Sequence, residues 1–409
     1  MKTVYYVFFL AFIVLSSTLC GCYGEKSYSP VLVCRKISIK WSNSTSEAIE
    51  IGEVECSWPY NELVYTGLGY GPEYVYGEGD IWYNKRLFNR SYDVWYVPAL
   101  AVGDLDPDVE GAEVVEGLYE LIVLTYDRTT GNWTNKTIWN PWVEYEATVE
   151  ALKIGDFDPR HQGNELLCVT LGNIVREFYK ADNGTWMNEV IDENHIGIPA
   201  YDCDIGNFDP RFDGNECVVF TEENITEYAW NGTGWYNETI VIYSNVPAAL
   251  WAGRVAELNT TNEVEEIIWG SGWSQVGLVW WDGSGYEVKR IAWDIGGNTR
   301  AVAVGDCLSG HPGNEIVAGG TSGIVFLLWE ENDVWRKAEI YVKDTWIEDI
   351  EIGEFDPMHP GNEIAVGTGG LHEVYENPSV SETTWILQPV LCVVVAVPAI
   401  LWHYGRRRI

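Results

Sequence analysis

The chain has 409 residues, roughly two to three times an ordinary domain, so it holds several domains or one large repetitive unit. Its 61 acidic against 25 basic side chains give a formal charge of −36, which repels phosphate backbones and excludes nucleic-acid partners. Apolar residues at 46% and aromatic residues at 14% exclude disorder for most of the chain, and the 41 glycines favour strands joined by tight turns.

At the start, Lys2, the apolar run Val4 to Leu15 and the small or polar residues up to Gly24 have the three-part form of a secretory signal peptide, assigned to residues 1–24. An ectodomain over 25–375 follows. Its first segment, Val31 to Trp41, reads as a single strand standing ahead of everything that repeats.

From residue 50 onward one phrase returns. It is clearest as AVGDLDPDVEGAEVVEG from Ala101, KIGDFDPRHQGNELLCV from Lys153, DIGNFDPRFDGNECVVF from Asp204, AVGDCLSGHPGNEIVAGG from Ala303 and EIGEFDPMHPGNEIAVGTGG from Glu351. Two weaker copies start at Glu50 and Leu250. The anchor glycines are Gly52, Gly103, Gly155, Gly206, Gly253, Gly305 and Gly353, and a glutamate stands ten residues after each: Glu62, Glu113, Glu165, Glu216, Glu263, Glu315 and Glu363. Each unit reads as four short strands, and units of roughly 50 residues repeated in this way predict an all-β, seven-bladed β-propeller. The last repeat lacks a fourth strand. The segment at Val31 to Trp41 is expected to supply it and close the ring, which removes the open edges of a linear array.

The GDFDP…GNE phrases resemble the FG-GAP or VCBS type of propeller repeat, found in integrin α-subunit heads and in secreted microbial proteins. The resemblance spans about residues 31–375 and implies a loop between the first two strands that binds Ca2+ through its carboxylates. The residues placed to do so here are Asp104, Asp106 and Glu113; Asp156, Asp158 and Glu165; Asp209, Asp213 and Glu216; and Glu354, Asp356 and Glu363. The spacing departs from the family's usual one, with Pro in the fourth position. The competing reading is turn chemistry, in which the aspartates and the glutamate bond nearby backbone amides.

Six cysteines lie in the ectodomain, and Cys203 with Cys217, flanking one short loop, is the pair expected to form a disulfide. Nine N-x-Ser/Thr sequons, at Asn43, Asn89, Asn132, Asn135, Asn183, Asn224, Asn231, Asn237 and Asn259, support extracellular exposure and predict a glycoprotein. His161, His311 and His359 each stand six residues after an anchor in different blades, so they are read as loop histidines with no shared metal. No HExxH or G-x-S-x-G motif is present, and no catalytic residue is assigned. Trp133, Trp186, Trp235, Trp281 and Trp335 recur near the outer turns, where they serve as packing positions or as platforms for sugars.

A stalk at 376–384 leads to Trp385–Trp402, 18 residues without a charge, closed by Arg406, Arg407 and Arg408. That length just spans a bilayer core, the terminal tryptophans suit an interface, and the arginines place 403–409 in the cytoplasm. The expectation is a single-pass plasma-membrane protein whose ectodomain faces outward and binds an extracellular protein or glycan without catalysis. The alternatives are a carbohydrate-active enzyme or lectin, and a structural envelope component.

Overall fold

The computed structural model describes residues 32–376 apart from 38–45, 56–59, 68–69, 79–80, 89–98, 142–147, 194–198, 243–248 and 259–263. The signal at 1–24, the stalk beyond 376, the span at 385–402, the tail at 403–409, Glu263, Cys56 and the sequons at Asn43, Asn89 and Asn259 lie outside the described residues. No helix among the described residues is long and apolar enough to cross a membrane.

Twenty-eight strands among the described residues form seven antiparallel four-stranded sheets. Six sheets are simple meanders of consecutive strands. The seventh contains Asp349–Gly353, Glu363–Gly367 and Leu371–Glu376, and its fourth strand is Leu32–Lys36, paired from Leu32 opposite Glu376 to Lys36 opposite His372. The ring therefore closes on the first strand of the chain, as the missing fourth strand of the last repeat required. This closure defines a seven-bladed β-propeller.

In each blade the second strand is buried on both sides, as in Glu165–Thr170 and Glu216–Thr221, while the outermost strand is largely exposed, as in Asn132–Trp139. The apolar runs EIVAGG and ELLCVT thus belong between blades, and the polar-alternating segments form the circumference. The anchor glycines sit at the inner ends of the blades. A Cβ on Gly52 would lie 2.5 Å from Val102, on Gly103 2.9 Å from Ile154, on Gly206 2.4 Å from Val255 and on Gly305 2.7 Å from Ile352. Each anchor is packed against the branched residue that precedes the next blade's anchor, and this close approach is what demands glycine.

Blade 5 corrects the sequence register. Gly253 pairs with Trp269, whereas the other six anchors pair with their conserved-position glutamates, from Gly52 with Glu62 to Gly353 with Glu363. The residue in the anchor's place is Ala256, paired with Glu266, again ten positions on. The glycine three residues earlier drew the alignment away because an anchor was expected to be glycine.

Cys203 and Cys217 form no disulfide; both are buried free thiols. They lie on neighbouring strands, but Cys203 is opposite Val219 and Cys217 opposite Ile205. Such diagonal neighbours are separated by about 7–8 Å, beyond the Cα spacing a disulfide tolerates. Cys168 and Cys307 are likewise buried, and Cys34 is exposed.

Candidate functional site: the two ends of the propeller

A four-stranded meander puts its first-to-second and third-to-fourth connections at one end, and its second-to-third and blade-to-blade connections at the other. The first end carries the repeated loops. Glycine eight residues after the anchor turns each well-formed loop in the left-handed region, with φ of 114° at Gly111, 100° at Gly163, 108° at Gly214, 101° at Gly313 and 116° at Gly361. The glutamate two residues later folds back into the loop. Glu113 accepts the amides of Leu105 and Asp106 at 3.0 and 2.9 Å, and Glu165, Glu216, Glu315 and Glu363 repeat the pattern. Glu62 and Glu266 accept the amides of Val54 and Leu258. Burial pushes Glu113, Glu165 and Glu363 up to about 7 and Glu216 up to about 8, although the amides pull the other way.

The asparagine between that glycine and glutamate reaches backward to the preceding blade. Asn164 donates to the Asp104 carbonyl at 2.7 Å, Asn215 to Asp156, Asn314 to Glu257 and Asn362 to Asp306. Asn61 donates to the Glu354 carbonyl, so the same clasp crosses the seam between the first and last blades. The phrase Gly-Asn-Glu is therefore a turn, a link between blades and a loop cap in three consecutive residues.

The carboxylates named for Ca2+ divide into two groups. Asp104, Asp156, Asp213 and Glu354 are exposed on the loops. Asp106, Asp158, Asp209 and Asp356 are buried beside the capping glutamates, each accepting an amide two residues on. Their outer oxygens meet cations: Lys180 at Asp106, Arg160 at Asp158, Arg211 at Asp209 and Arg35, from the closing strand, at Asp356. Burial opposes ionisation of Asp158, Asp209 and Asp356, yet hydrogen bonds and the facing cations hold all three below the usual carboxylate range.

Three of these aspartates face a second buried acid on the third strand of their blade: Glu177, Glu227 and Glu373, all fully buried. Burial, together with the adjacent aspartate, pushes Glu177 and Glu227 up to about 9 and Glu373 up to about 8. Sequence reasoning missed these glutamates because it searched the loops and not the strand behind them. Their visible signal is a charged residue in the middle of an apolar strand, as in VREFYK and LHEVYE.

The axis between the two ends is polar. Lys153 of blade 3 lies 3.5 Å from Glu50 of blade 1, and Arg254 of blade 5 lies 2.8 Å from Glu351 and 3.7 Å from Asp349 of blade 7. These blades are not neighbours, so the pairs span the central channel. Asp202 and Asp204 complete the group. Burial pushes Glu50 up to about 7 and Asp349 up to about 8.

The opposite end lacks the repeated loops and carries aromatic rings instead. Tyr201 and Trp251, in neighbouring inner strands, stack at 4.5 Å, and the Arg300 guanidinium lies 5.4 Å from the Trp251 ring and 5.5 Å from that of Trp346. Arg300 is held by Glu348 at 3.1 Å. Trp273, in the turn that abuts Trp251, is 62% exposed, and Trp293 and Trp346 are each 55% exposed. Three large rings are thus left in water at this end. By contrast Trp133, Trp186, Trp235 and Trp335 pack against the inter-blade cores, and Trp281 lies edge-on to Tyr286 beneath Arg211. The recurring tryptophans are packing residues, and the exposed ones do not recur.

Of the described sequons, Asn132, Asn135, Asn183, Asn231 and Asn237 are exposed on outer strands or their turns in blades 2 to 4, and Asn224 is half-buried. The aromatic rings belong mainly to blades 4 to 7. No protein-family model and no curated protein matches the chain.

Proposed function

We propose that the protein is a membrane-anchored cell-surface glycoprotein of FG-GAP or VCBS type that binds an extracellular glycan, without catalysis, on the aromatic end of its propeller. The observation that carries this reading is the group formed by Tyr201, Trp251, Trp346 and the exposed Trp273 around Arg300. Flat rings offer stacking surface to sugar faces, and Arg300 and Glu348 beside them offer hydrogen-bonding groups to hydroxyls. Glycans on the exposed sequons at Asn132, Asn135, Asn183, Asn231 and Asn237 would sit on the outer strands or on their turns at the loop end, away from these rings.

Orientation supports the same reading. The last described strand ends at Glu376 on the loop end, so a stalk and span following it emerge there and the aromatic end faces away from the membrane. In this proposal Ca2+ is a ligand of the acid-rich loops and not their organiser. The capping glutamates and the inter-blade asparagines already hold those loops together.

The test is binding of the detergent-solubilised full-length protein to a glycan array, with Trp251→Ala and Trp346→Ala beside it. Binding that both substitutions reduce at least tenfold supports the reading. Undiminished binding removes the aromatic end from it, and crosslinking on intact cells that captures a protein at Trp346 without glycan binding replaces the ligand class.

A further inference from the structure

The histidine six residues after the anchor has a different environment in each blade that carries one. In blade 6, His311 is saturated: its Nδ1 meets Glu315 at 2.8 Å and its Nε2 the Glu330 carbonyl at 3.0 Å. Blade 6 also has leucines, Leu308 and Leu327, where blade 3 has Asp158 and Glu177. In blade 3, His161 Nε2 lies 3.5 Å from Glu177 Oε1 and 3.8 Å from Asp158 Oδ2. Both His161 Nε2 and Glu177 Oε1 are buried atoms with no hydrogen-bond partner. Glu177 is wholly buried, so no water compensates it from the surface.

Blade 7 repeats the arrangement with the same residue types. His359 Nδ1 is hydrogen-bonded to Asp356 Oδ2 at 2.8 Å, a bond an ion would replace, and lies 3.9 Å from Glu373 Oε1, which is again buried without a partner. In both blades a tyrosine two residues after the glutamate fixes the imidazole by stacking, His161 on Tyr179 and His359 on Tyr375, each at 3.6 Å. Blade 4 keeps the acid pair, Asp209 and Glu227, but has Phe212 in the histidine's place. The Arg, Asp and Glu network is thus a common support, and the histidine is an addition in two blades.

We propose that the Asp158, His161 and Glu177 triad and its counterpart Asp356, His359 and Glu373 each bind one divalent transition-metal ion of the Zn2+ class. In each triad the three donor atoms lie within 4.8 Å of one another. Bonds of about 2.0–2.1 Å at a tetrahedral ion set ligands about 3.3 Å apart, so the two spacings from His161 in blade 3 need to close by only a few tenths of an ångström. One imidazole with two carboxylates is a donor set that suits zinc better than calcium, which prefers oxygen alone. Arg160 does not fill the site. It bonds Asp158 Oδ2, the oxygen that faces His161, and the other Glu177 oxygen, Oε2, at 3.4 Å. His161 Nε2 and Glu177 Oε1 stay unpartnered, the ion would share Asp158 Oδ2 with the guanidinium, and that charge offsets part of the negative charge. These sites lie within single blades, which is why a search for histidines converging between blades does not find them.

The test uses full-length protein in detergent, stripped with chelator and titrated with ZnCl2, with bound metal measured by elemental analysis after gel filtration. Two equivalents are expected for the wild type, one for His161→Phe and none for His161→Phe/His359→Phe. Phenylalanine is what blade 4 carries at this position, and the metal-free melting curve checks that each variant is folded. Glu177→Gln, which keeps shape, is expected to weaken zinc at its site by at least about tenfold. Co2+ loading should give visible absorption bands that the double variant lacks. A wild type that retains no zinc, a double variant that still retains two equivalents, or Ca2+ that displaces zinc from both sites overturns the proposal.

Discussion

The two ends of the propeller are built on opposite principles. At the loop end, one phrase is repeated with small variations, and its asparagines and one oxygen of each capping glutamate bond to backbone inside the loop or in the adjacent blade. At the aromatic end the blades differ from one another: in the turn between second and third strands blade 5 exposes Trp273 where blade 2 exposes Tyr119 and blade 3 Leu171, and Trp293 and Trp346 stand in water besides. Repetition around a ring answers a need every blade has, which is to turn the chain and hold its neighbour. A single ligand needs a place that only some blades provide.

If that contrast is right, substitutions at the loop end damage the fold, and substitutions at the aromatic end leave it standing. The largest effect is expected for Glu216→Leu, which orphans the buried amides of Phe208 and Asp209. At about 1–3 kcal/mol for each amide, denaturant unfolding should show a loss of about 2–6 kcal/mol. Gly305→Ala is expected next, because its Cβ would meet Ile352 at 2.7 Å; a loss of about 1–3 kcal/mol is typical of overpacking. Ala256→Gly, at the equivalent place in blade 5, should cost less than Gly305→Ala, and the opposite order would undo the register correction.

The channel between the ends gives a pH signature. Glu50 and Asp349 have folded pKa values raised to about 7 and about 8, above those of the unfolded chain, so the folded protein holds extra protons across neutrality. Their contribution is complete at low pH and is lost as pH rises through 7 and 8. Between pH 6 and pH 8 the wild type should lose about 2–4 kcal/mol more stability, measured by thermal melting, than Glu50→Gln/Asp349→Asn, a difference that cancels the share of the other buried acids. A variant that loses as much as the wild type would mean the channel acids are ionised throughout. The smallest effect belongs to the aromatic end: Trp346→Ala should change stability by no more than about 0.5 kcal/mol. Chelation of Ca2+ should lower the melting temperature only slightly; an unchanged curve counts against calcium in these loops, since a ligand of the folded state stabilises it, and a large drop would make calcium their organiser after all.

How far the sequence could be read follows the same division. The ring, its seven units and its closure were readable because Gly, Asn and Glu perform backbone tasks that few other residues perform, at fixed spacing. The misplacement of blade 5 came from the same source: Gly253 looked like the anchor, while the anchor's place, opposite the glutamate ten residues on, is held there by Ala256. Whether Asp158 faced a partner was hidden, since Glu177 is 19 residues away and only the strand register brings it behind the loop. The exposed tryptophans were invisible for the reason that makes them interesting. They follow no period, so nothing distinguished Trp273 from Trp235 until one was seen in water and the other against Phe157.

The closing strand has a mechanical meaning. Leu371–Glu376 is the strand through which the chain leaves the propeller, and without Leu32–Lys36 it would be the outermost strand of its sheet, open to being peeled away one hydrogen bond at a time. With that partner in place it is flanked on both sides, by Glu363–Gly367 and by five registered pairs from Leu32 to Lys36. Arg35 adds ties to Asp356 and Glu373 across more than 300 residues of sequence. A pull on the chain beyond Glu376 therefore loads two ladders in shear at once, and the first residues of the fold to be made bear the force applied to the last.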